Sequence, residues 1–378
     1  MNKPKIWLSS PHMGGGEQKY IKEAFAANWV APLGPNVTGF EHDLETYLGK
    51  EMSVAALSSG TAALHLALLL LGIQHGDEVI CQSFTFSASA NPIVYVGAAP
   101  VFIDSERDTW NMCPIALEQA IVDRIAKGKI PTAIVLVHLY GMPAKLEEIL
   151  ELAKRYNIPV IEDAAEALGS SYKGQKCGTF GDFGILSFNG NKIITTSGGG
   201  ALVASSKELK DKAVFLATQA RDVAPHYQHS HIGYNYRMSN ILAGIGRGQM
   251  EVLEAHIDLR RGMHQFYDNY FKNIRGATLL KEPTDAYFSN HWLSAVILDP
   301  AICNGKSSEK LRLVLEAENI ESRPLWKPMH LQPIFESYPY YGEKTAEQLF
   351  NNGLCLPSGS NLTTLDKERI LKVFNAFF

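Results

Sequence analysis

Three stretches of the chain carry residue types whose spacing could do chemistry. The first is Gly184-Ile185-Leu186-Ser187-Phe188-Asn189-Gly190-Asn191-Lys192, where an apolar run delivers Ser187 and, after a polar turn, Lys192. A lysine held in a water-poor site gives up its charge readily, because desolvation disfavours the ammonium form. The neutral amine attacks a carbonyl carbon and forms a Schiff base; an ordinary solvated lysine is the alternative. The second is Ile158-Pro159-Val160-Ile161-Glu162-Asp163-Ala164-Ala165-Glu166, an apolar strand running into acids. In a parallel sheet ligands sit at the carboxyl ends of strands, so Asp163 could face one, or it could simply cap the next helix. The third is Ser58-Ser59-Gly60-Thr61-Ala62-Ala63-Leu64, small residues opening an apolar helix. The unpaired amides and dipole of such a helix start suit a phosphate, although Ser and Thr are also plain N-caps.

Their order makes one proposal out of three weak signals. A phosphate cradle, an acid at a strand end and a lysine after a later strand are what a pyridoxal 5'-phosphate site requires. The phosphate anchors the cofactor, the lysine binds its aldehyde, and the acid keeps the pyridine nitrogen protonated so that the ring acts as an electron sink. An aromatic face must also cover the ring. Phe86 lies just past another strand end and is the candidate; Phe84 competes with it, and core packing would explain either.

Those residues need elements to position them. Apolar runs at Ser53–Leu57, Asp77–Cys81, Pro100–Ile103, Thr132–Val137 and Ile158–Ile161 predict strands, and the stretch 133–137 is apolar on both faces. Both faces must then be covered, as in a parallel sheet between helix layers. Helices fit between them at Thr61–Leu71, Thr85–Val96, Pro114–Ala126 and Lys145–Tyr156, each segment being long enough for a crossover. This is an α/β pattern. After about residue 235 the texture changes: Ser239–Phe271 reads as one or two long helices, followed by strands at Ser294–Leu298 and Ile320–Arg323 and helices at Ser308–Ala317 and Leu365–Phe377. The expected division is a large domain over 1–250 and a smaller α+β domain over 251–378.

Composition narrows the function classes. The 378 residues are 46% hydrophobic and 20% charged, an ordinary globular balance that excludes a mostly disordered chain. A formal charge of -4 with no long basic cluster argues against nucleic acid as a partner. The longest apolar stretch, 61–73, is shorter than the about 20 residues a membrane span needs. With no signal-peptide pattern at the start and five scattered cysteines that offer no zinc signature, the expectation is a cytoplasmic protein without a metal site.

Ser59-Gly60-Thr61-Ala62-Ala63-Leu64, Thr85-Phe86, Glu162-Asp163-Ala164-Ala165, Ser187-Phe188 through Lys192, and Gly233-Tyr234-Asn235-Tyr236-Arg237-Met238 together carry a resemblance. Over nearly its whole length the chain resembles the pyridoxal-phosphate-dependent nucleotide-sugar aminotransferases of the DegT/DnrJ/StrS type, which have the aspartate-aminotransferase fold (fold type I). The resemblance implies that Lys192 is the Schiff-base lysine and that Asp163 binds the pyridine nitrogen. It gives the phosphate to the amides of Gly60 and Thr61 and the hydroxyl of Ser187, and the ring face to Phe86. Asn235 would reach the phosphate of the neighbouring subunit's cofactor, which makes the working unit a homodimer. Glu166 stands where relatives often carry Gln or His near the cofactor's hydroxyl, a departure from the commonest pattern.

The stretch 323–333 (Arg323 to Pro333) resembles the sugar-facing loop of the family. It is most similar to members acting on UDP-linked 4-keto-6-deoxy-N-acetylhexosamines, on the route to bacillosamine-type sugars, and the opening segments 10–17 and 28–35 are similar to that subgroup too. His330 and Trp29 are the substrate-facing candidates this implies; a structural histidine capping the loop is the other reading of His330. The implied reaction moves the amino group of L-glutamate to the 4-keto group of the nucleotide-linked sugar. The donor's carboxylate has no assigned partner; Arg237 and Arg221 are guesses. GDP- or dTDP-linked keto sugars of the perosamine type are the alternative substrates. A lysine-free sugar dehydratase and a non-catalytic regulator are the alternative fates of the fold, and Lys192 argues against both.

Overall fold

The computed structural model describes residues 3–49 and 51–378. Its centre is dictated by the two-faced apolar strands. Glu78–Gln82, Ala133–Val137 and Gly200–Ala204 are buried at every position. Alternate residues of one strand enter different cores. Val135 packs with Leu64, Leu66 and Leu68 on one face, while Ile134 and Leu136 pack with Leu117, Ile121 and Ile149 on the other. A period of two along a strand requires this division, and only helices on both sides can supply it.

Among the described residues eight strands form the central sheet. Their order is Ser53–Leu57, Gly200–Ala204, Phe183–Ser187, Val160–Asp163, Ala133–Val137, Glu78–Gln82, Ala99–Ile103 and Tyr340–Tyr341. Gly200–Ala204 runs against both of its neighbours; the remaining pairings are parallel. Ser53–Leu57 therefore points the same way as Phe183–Ser187 and Val160–Asp163, and the carboxyl ends of all three meet at one edge.

A second, antiparallel sheet is built from Ala277–Leu279, Ser294–Leu298, Gly353–Leu356 and Arg323–Pro324. Leu298 and Leu354 of this sheet pack with Met263, Leu311, Leu315, Ile370 and Phe374 from the helices Leu253–Phe271, Ser308–Ala317 and Thr364–Phe377. Ile6 belongs to the same cluster and bridges Ile320, so the start of the chain lies on this later part of the fold.

Several elements differ from the sequence reading. The helix expected over 85–96 is a single 3₁₀ turn, Ser87–Ser89, and a short helix, Asn91–Tyr95. Pro92 has no amide hydrogen and is tolerated only in a first turn, so the helix restarts beside it. The strand expected over 158–161 is shifted to Val160–Asp163, which makes Asp163 its last residue. The strand expected over 320–323 is Arg323–Pro324, because Ile320 is taken by the bridge to Ile6. The stretch 239–271 is two helices, Asn240–Met250 and Leu253–Phe271.

Candidate active site

At the edge where the strand ends converge lies a cavity of about 310 Å³. Ser59 opens the helix Gly60–Leu70: its backbone is extended and its Oγ accepts from the Ala62 amide at 3.0 Å. The cap leaves the amides of Gly60 and Thr61 without helical acceptors, and both residues line the cavity. Close approach requires glycine here. A Cβ on Gly60 would lie 3.3 Å from the Leu186 carbonyl oxygen and from the Ser187 Cβ, and one on Gly200 would lie 2.3 Å from the Gly60 nitrogen. Ser187, at the end of its strand, lines the same corner.

Asp163 is buried, and its carboxylate is oriented from two sides. Ser89 donates to one oxygen at 2.6 Å, and the Ala165 amide to the other at 3.2 Å. Since the Ser89 proton is spent on Asp163, the Thr85 hydroxyl, 2.8 Å away, donates to Ser89. The preceding residue, Glu162, points the other way into the protein. It accepts from the amides of Gly178, Phe180 and Gly181 and from His138 Nε2. His138 Nδ1 accepts from the Ala144 amide, which fixes the tautomer.

Lys192 projects into the cavity with its side chain 13% exposed. Its Nζ lies 3.6 Å from the Glu166 carboxylate and 4.0 Å from the centre of the Trp292 ring. Glu166 is buried and accepts from the Tyr140 amide at 2.7 Å. Burial pushes its carboxyl above the usual range, against the opposing pull of Lys192 and the Tyr140 amide. Phe86 and Phe84 have separate fates: Phe84 is fully buried beside Leu139 and Tyr140. Phe86 is 52% exposed, lines the cavity and leans on Trp326, ring centres 5.3 Å apart.

The other candidates are not brought to the cavity. His330 is half-buried in its loop, stacked on Tyr340 with ring centres 3.7 Å apart, its Nδ1 2.7 Å from Ser83 Oγ. Trp29 is partly exposed, its carbonyl accepting from Asn240 Nδ2. Arg237 is committed to Glu41 and the Ala56 carbonyl, and Arg221 lies over the Tyr227 ring. Asn235 is exposed and absent from the lining of the cavity. Sequence reasoning missed Ser89 and Trp292, which line the cavity, and noted Thr85 and Trp326 only as neighbours of Phe86 and as part of the loop 323–333. Thr85 and Ser89 lie just past the strand Glu78–Gln82, and Ser89 stands 74 residues before Asp163, so no local pattern joined them to that acid.

The donor set fits pyridoxal phosphate. Free amides and hydroxyls form a glycine-tight anion cradle, a carboxylate is held by a serine, an aromatic ring covers one side, and a little-exposed lysine stands beside an acid.

Known proteins agree with this geometry. A Bacillus subtilis (strain 168) protein described as a pyridoxal phosphate-dependent aminotransferase, EpsN, is 53% identical, the match covering 99% of this chain and 96% of that one. A GDP-perosamine synthase from Escherichia coli O157:H7 is 39% identical over 99% of this chain and 98% of its own length. A crystal structure of a DegT DnrJ EryC1 StrS aminotransferase from Brucella abortus superposes with a TM-score of 0.88 at 30% identity, covering 96% of this chain and 95% of that one. With residues 11–375 matched by the family's model, the chain belongs to the DegT/DnrJ/EryC1/StrS aminotransferase family.

Proposed function

We infer the function from family membership, which makes the protein a pyridoxal-phosphate-dependent sugar aminotransferase. We propose that it takes the amino group of L-glutamate and places it on C4 of a nucleotide-linked 4-keto-6-deoxy sugar, with a UDP-linked N-acetylhexosamine as the substrate. The observation that carries the chemistry is one cavity holding Lys192, Asp163 and the start of the helix Gly60–Leu70. The sugar assignment rests on the segments 10–17, 28–35 and 323–333.

Pyridoxal phosphate, when bound, supplies the electron sink that makes the donor's α-proton removable. Gly60, Thr61 and Ser187 hold its phosphate. Asp163, fixed by Ser89, would keep a proton on its ring nitrogen, and Phe86 would lie against one ring face. Lys192 Nζ would hold its aldehyde carbon. Once released, it accepts the proton from the donor's α-carbon and later delivers one to C4 of the sugar, as general base and then acid. Glu166, 3.6 Å away, steadies the amine between these roles. Asn235 serves the phosphate of the adjoining subunit in a homodimer.

The test offers purified enzyme and glutamate a panel of 4-keto and 3-keto nucleotide sugars, with products identified by mass and NMR. A 4-amino sugar together with 2-oxoglutarate is expected. Ammonia release without an amino sugar would overturn the reading in favour of a dehydratase. The similarity to GDP-perosamine synthase makes a GDP-linked keto sugar the second reading, and the panel separates the two by nucleotide. Lys192→Ala should abolish turnover and the visible absorbance of lysine-bound cofactor.

A further inference from the structure

The turn that carries Lys192 belongs to no helix or strand, yet three successive carbonyls in it are addressed by side chains. Asn191 O accepts from Ser9 Oγ and from Trp292 Nε1, each at 2.7 Å. Lys192 O lies 3.5 Å from an Arg260 guanidinium nitrogen, and Ile193 O lies 3.3 Å from His256 Nδ1. Arg260 also donates to Trp292 O and, at 2.9 Å, to Ser9 Oγ. It therefore touches every segment that meets at the turn. His256, Arg260 and His264 recur every four residues on the helix Leu253–Phe271 and so share one face. All three are buried, and His264 Nε2 bonds Leu280 O at 2.8 Å.

Arg260 is 1% exposed, and no carboxylate lies within ion-pair distance among the described residues. Burial pulls the guanidinium below its ordinary range, with no acid to offset it. A buried cation without a counter-charge is costly, and an apolar side chain would suit such a site better if packing were the only demand. Lysine could not replace it, because a single ammonium cannot span three divergent acceptors.

We propose that Arg260 is a positioning residue for transamination: from its buried seat it pins the main chain at Lys192 and Trp292, fixing the place of the lysine amine and setting a positive field beneath it. The inference rests on the reading of Lys192 as the anchoring lysine. The other charges facing that amine are the carboxylates of Glu166 and, lining the same cavity, Asp163. His256, stacked on His12 with ring centres 4.7 Å apart, faces the turn from below and is biased toward the neutral form by burial.

The experiment compares wild type with Arg260→Met, Arg260→Lys and Ser9→Ala, the last a mild change at a part-exposed site. Borohydride reduction and peptide mapping first locate the trapped lysine; trapping anywhere but Lys192 overturns the proposed function itself. With Lys192 confirmed, Arg260→Met should lower kcat by about 30- to 100-fold with KM for both substrates nearly unchanged, as expected for a misplaced reacting group. Its lysine-bound cofactor band should titrate at higher pH, because a cation that disfavoured protonation is gone. In the cofactor-free protein, amides 189–195 should exchange hydrogen faster in Arg260→Met, and less so in Ser9→Ala. Arg260→Lys should restore the titration midpoint but not the full kcat. Unchanged midpoint, exchange and kcat in folded Arg260→Met would overturn the inference. Should that variant fail to fold, an Arg260→Lys protein with wild-type kcat would do so equally.

Discussion

Asp163 and Glu166 show how two acids three positions apart acquire different behaviour. Asp163 is held by donors, Ser89 Oγ at 2.6 Å and the Ala165 amide. Glu166 is sunk among Tyr140 and the cavity wall, where burial outweighs Lys192 and raises its pKa. A carboxyl with a raised folded pKa binds more protons folded than unfolded, so its contribution to stability falls as pH rises above the usual 4.5 toward the raised value. Glu166→Gln should therefore stabilise the cofactor-free protein at neutral pH. The gain should vanish below the usual 4.5, and urea titrations at several pH values would read it; a gain confined to acid pH would reverse the sign. Ser89→Ala should leave Asp163 buried with one donor fewer, costing about 1–3 kcal/mol of stability and weakening the hold on the cofactor's ring nitrogen. Cofactor dissociation rates would report it. Lys192, Asp163 and Ser187 were legible in the sequence because each follows an apolar strand within a few residues. Trp292 and Arg260 were not: they reach the lysine turn from 101 and 68 residues away, and no local pattern encodes such a meeting.

At the scale of elements, the site depends on how closely the helix Gly60–Leu70 can approach the strands Phe183–Ser187 and Gly200–Ala204. A Cβ on Gly200 would meet the Ser59 carbonyl carbon and the Gly60 nitrogen, both at 2.3 Å. Backbone cannot yield as a side-chain tip can, so Gly200→Ala should push the helix start away from the sheet. The expected cost is about 1–3 kcal/mol of stability, together with faster loss of the cofactor's phosphate grip. Calorimetry and a dialysis time course would measure the two, and a wild-type melting temperature with wild-type retention would contradict the cradle. The crossover helices Pro114–Ala126 and Leu146–Tyr156 were readable because their apolar faces repeat at helical period over three or more turns. Gly200–Ala204 went unread, hidden behind the glycines 198–200 that look like a turn. Its antiparallel direction is set by pairing with two distant strands rather than by its own residues.

Across the whole molecule, early and late parts of the chain exchange edges. Ile6 bridges Ile320, and Tyr340–Tyr341 pairs with Ala99–Ile103 of the central sheet. A division by sequence position alone does not capture such crossings, since texture changes mark composition and not contact. The segment 233–238 poses a question of the same scale. Tyr236 turns inward, its carbonyl accepting from the Ser58 amide at 2.7 Å and its ring stacked on Tyr234. The neighbouring Asn235 is exposed and does not line the cavity. On the proposed reading it serves a phosphate across a two-fold axis, where each copy offers the same surface to the other. Lys192→Ala and Asn235→Ala homodimers should then each be impaired, the first wholly. Unfolded and refolded together in equal amounts, half of the dimers would be mixed, and each mixed dimer would carry one site with Lys192 from one chain and Asn235 from the other. Activity should recover to about a quarter of wild type. Recovery no greater than the average of the two homodimers would place Asn235 in service of its own subunit and remove the reason for a shared site.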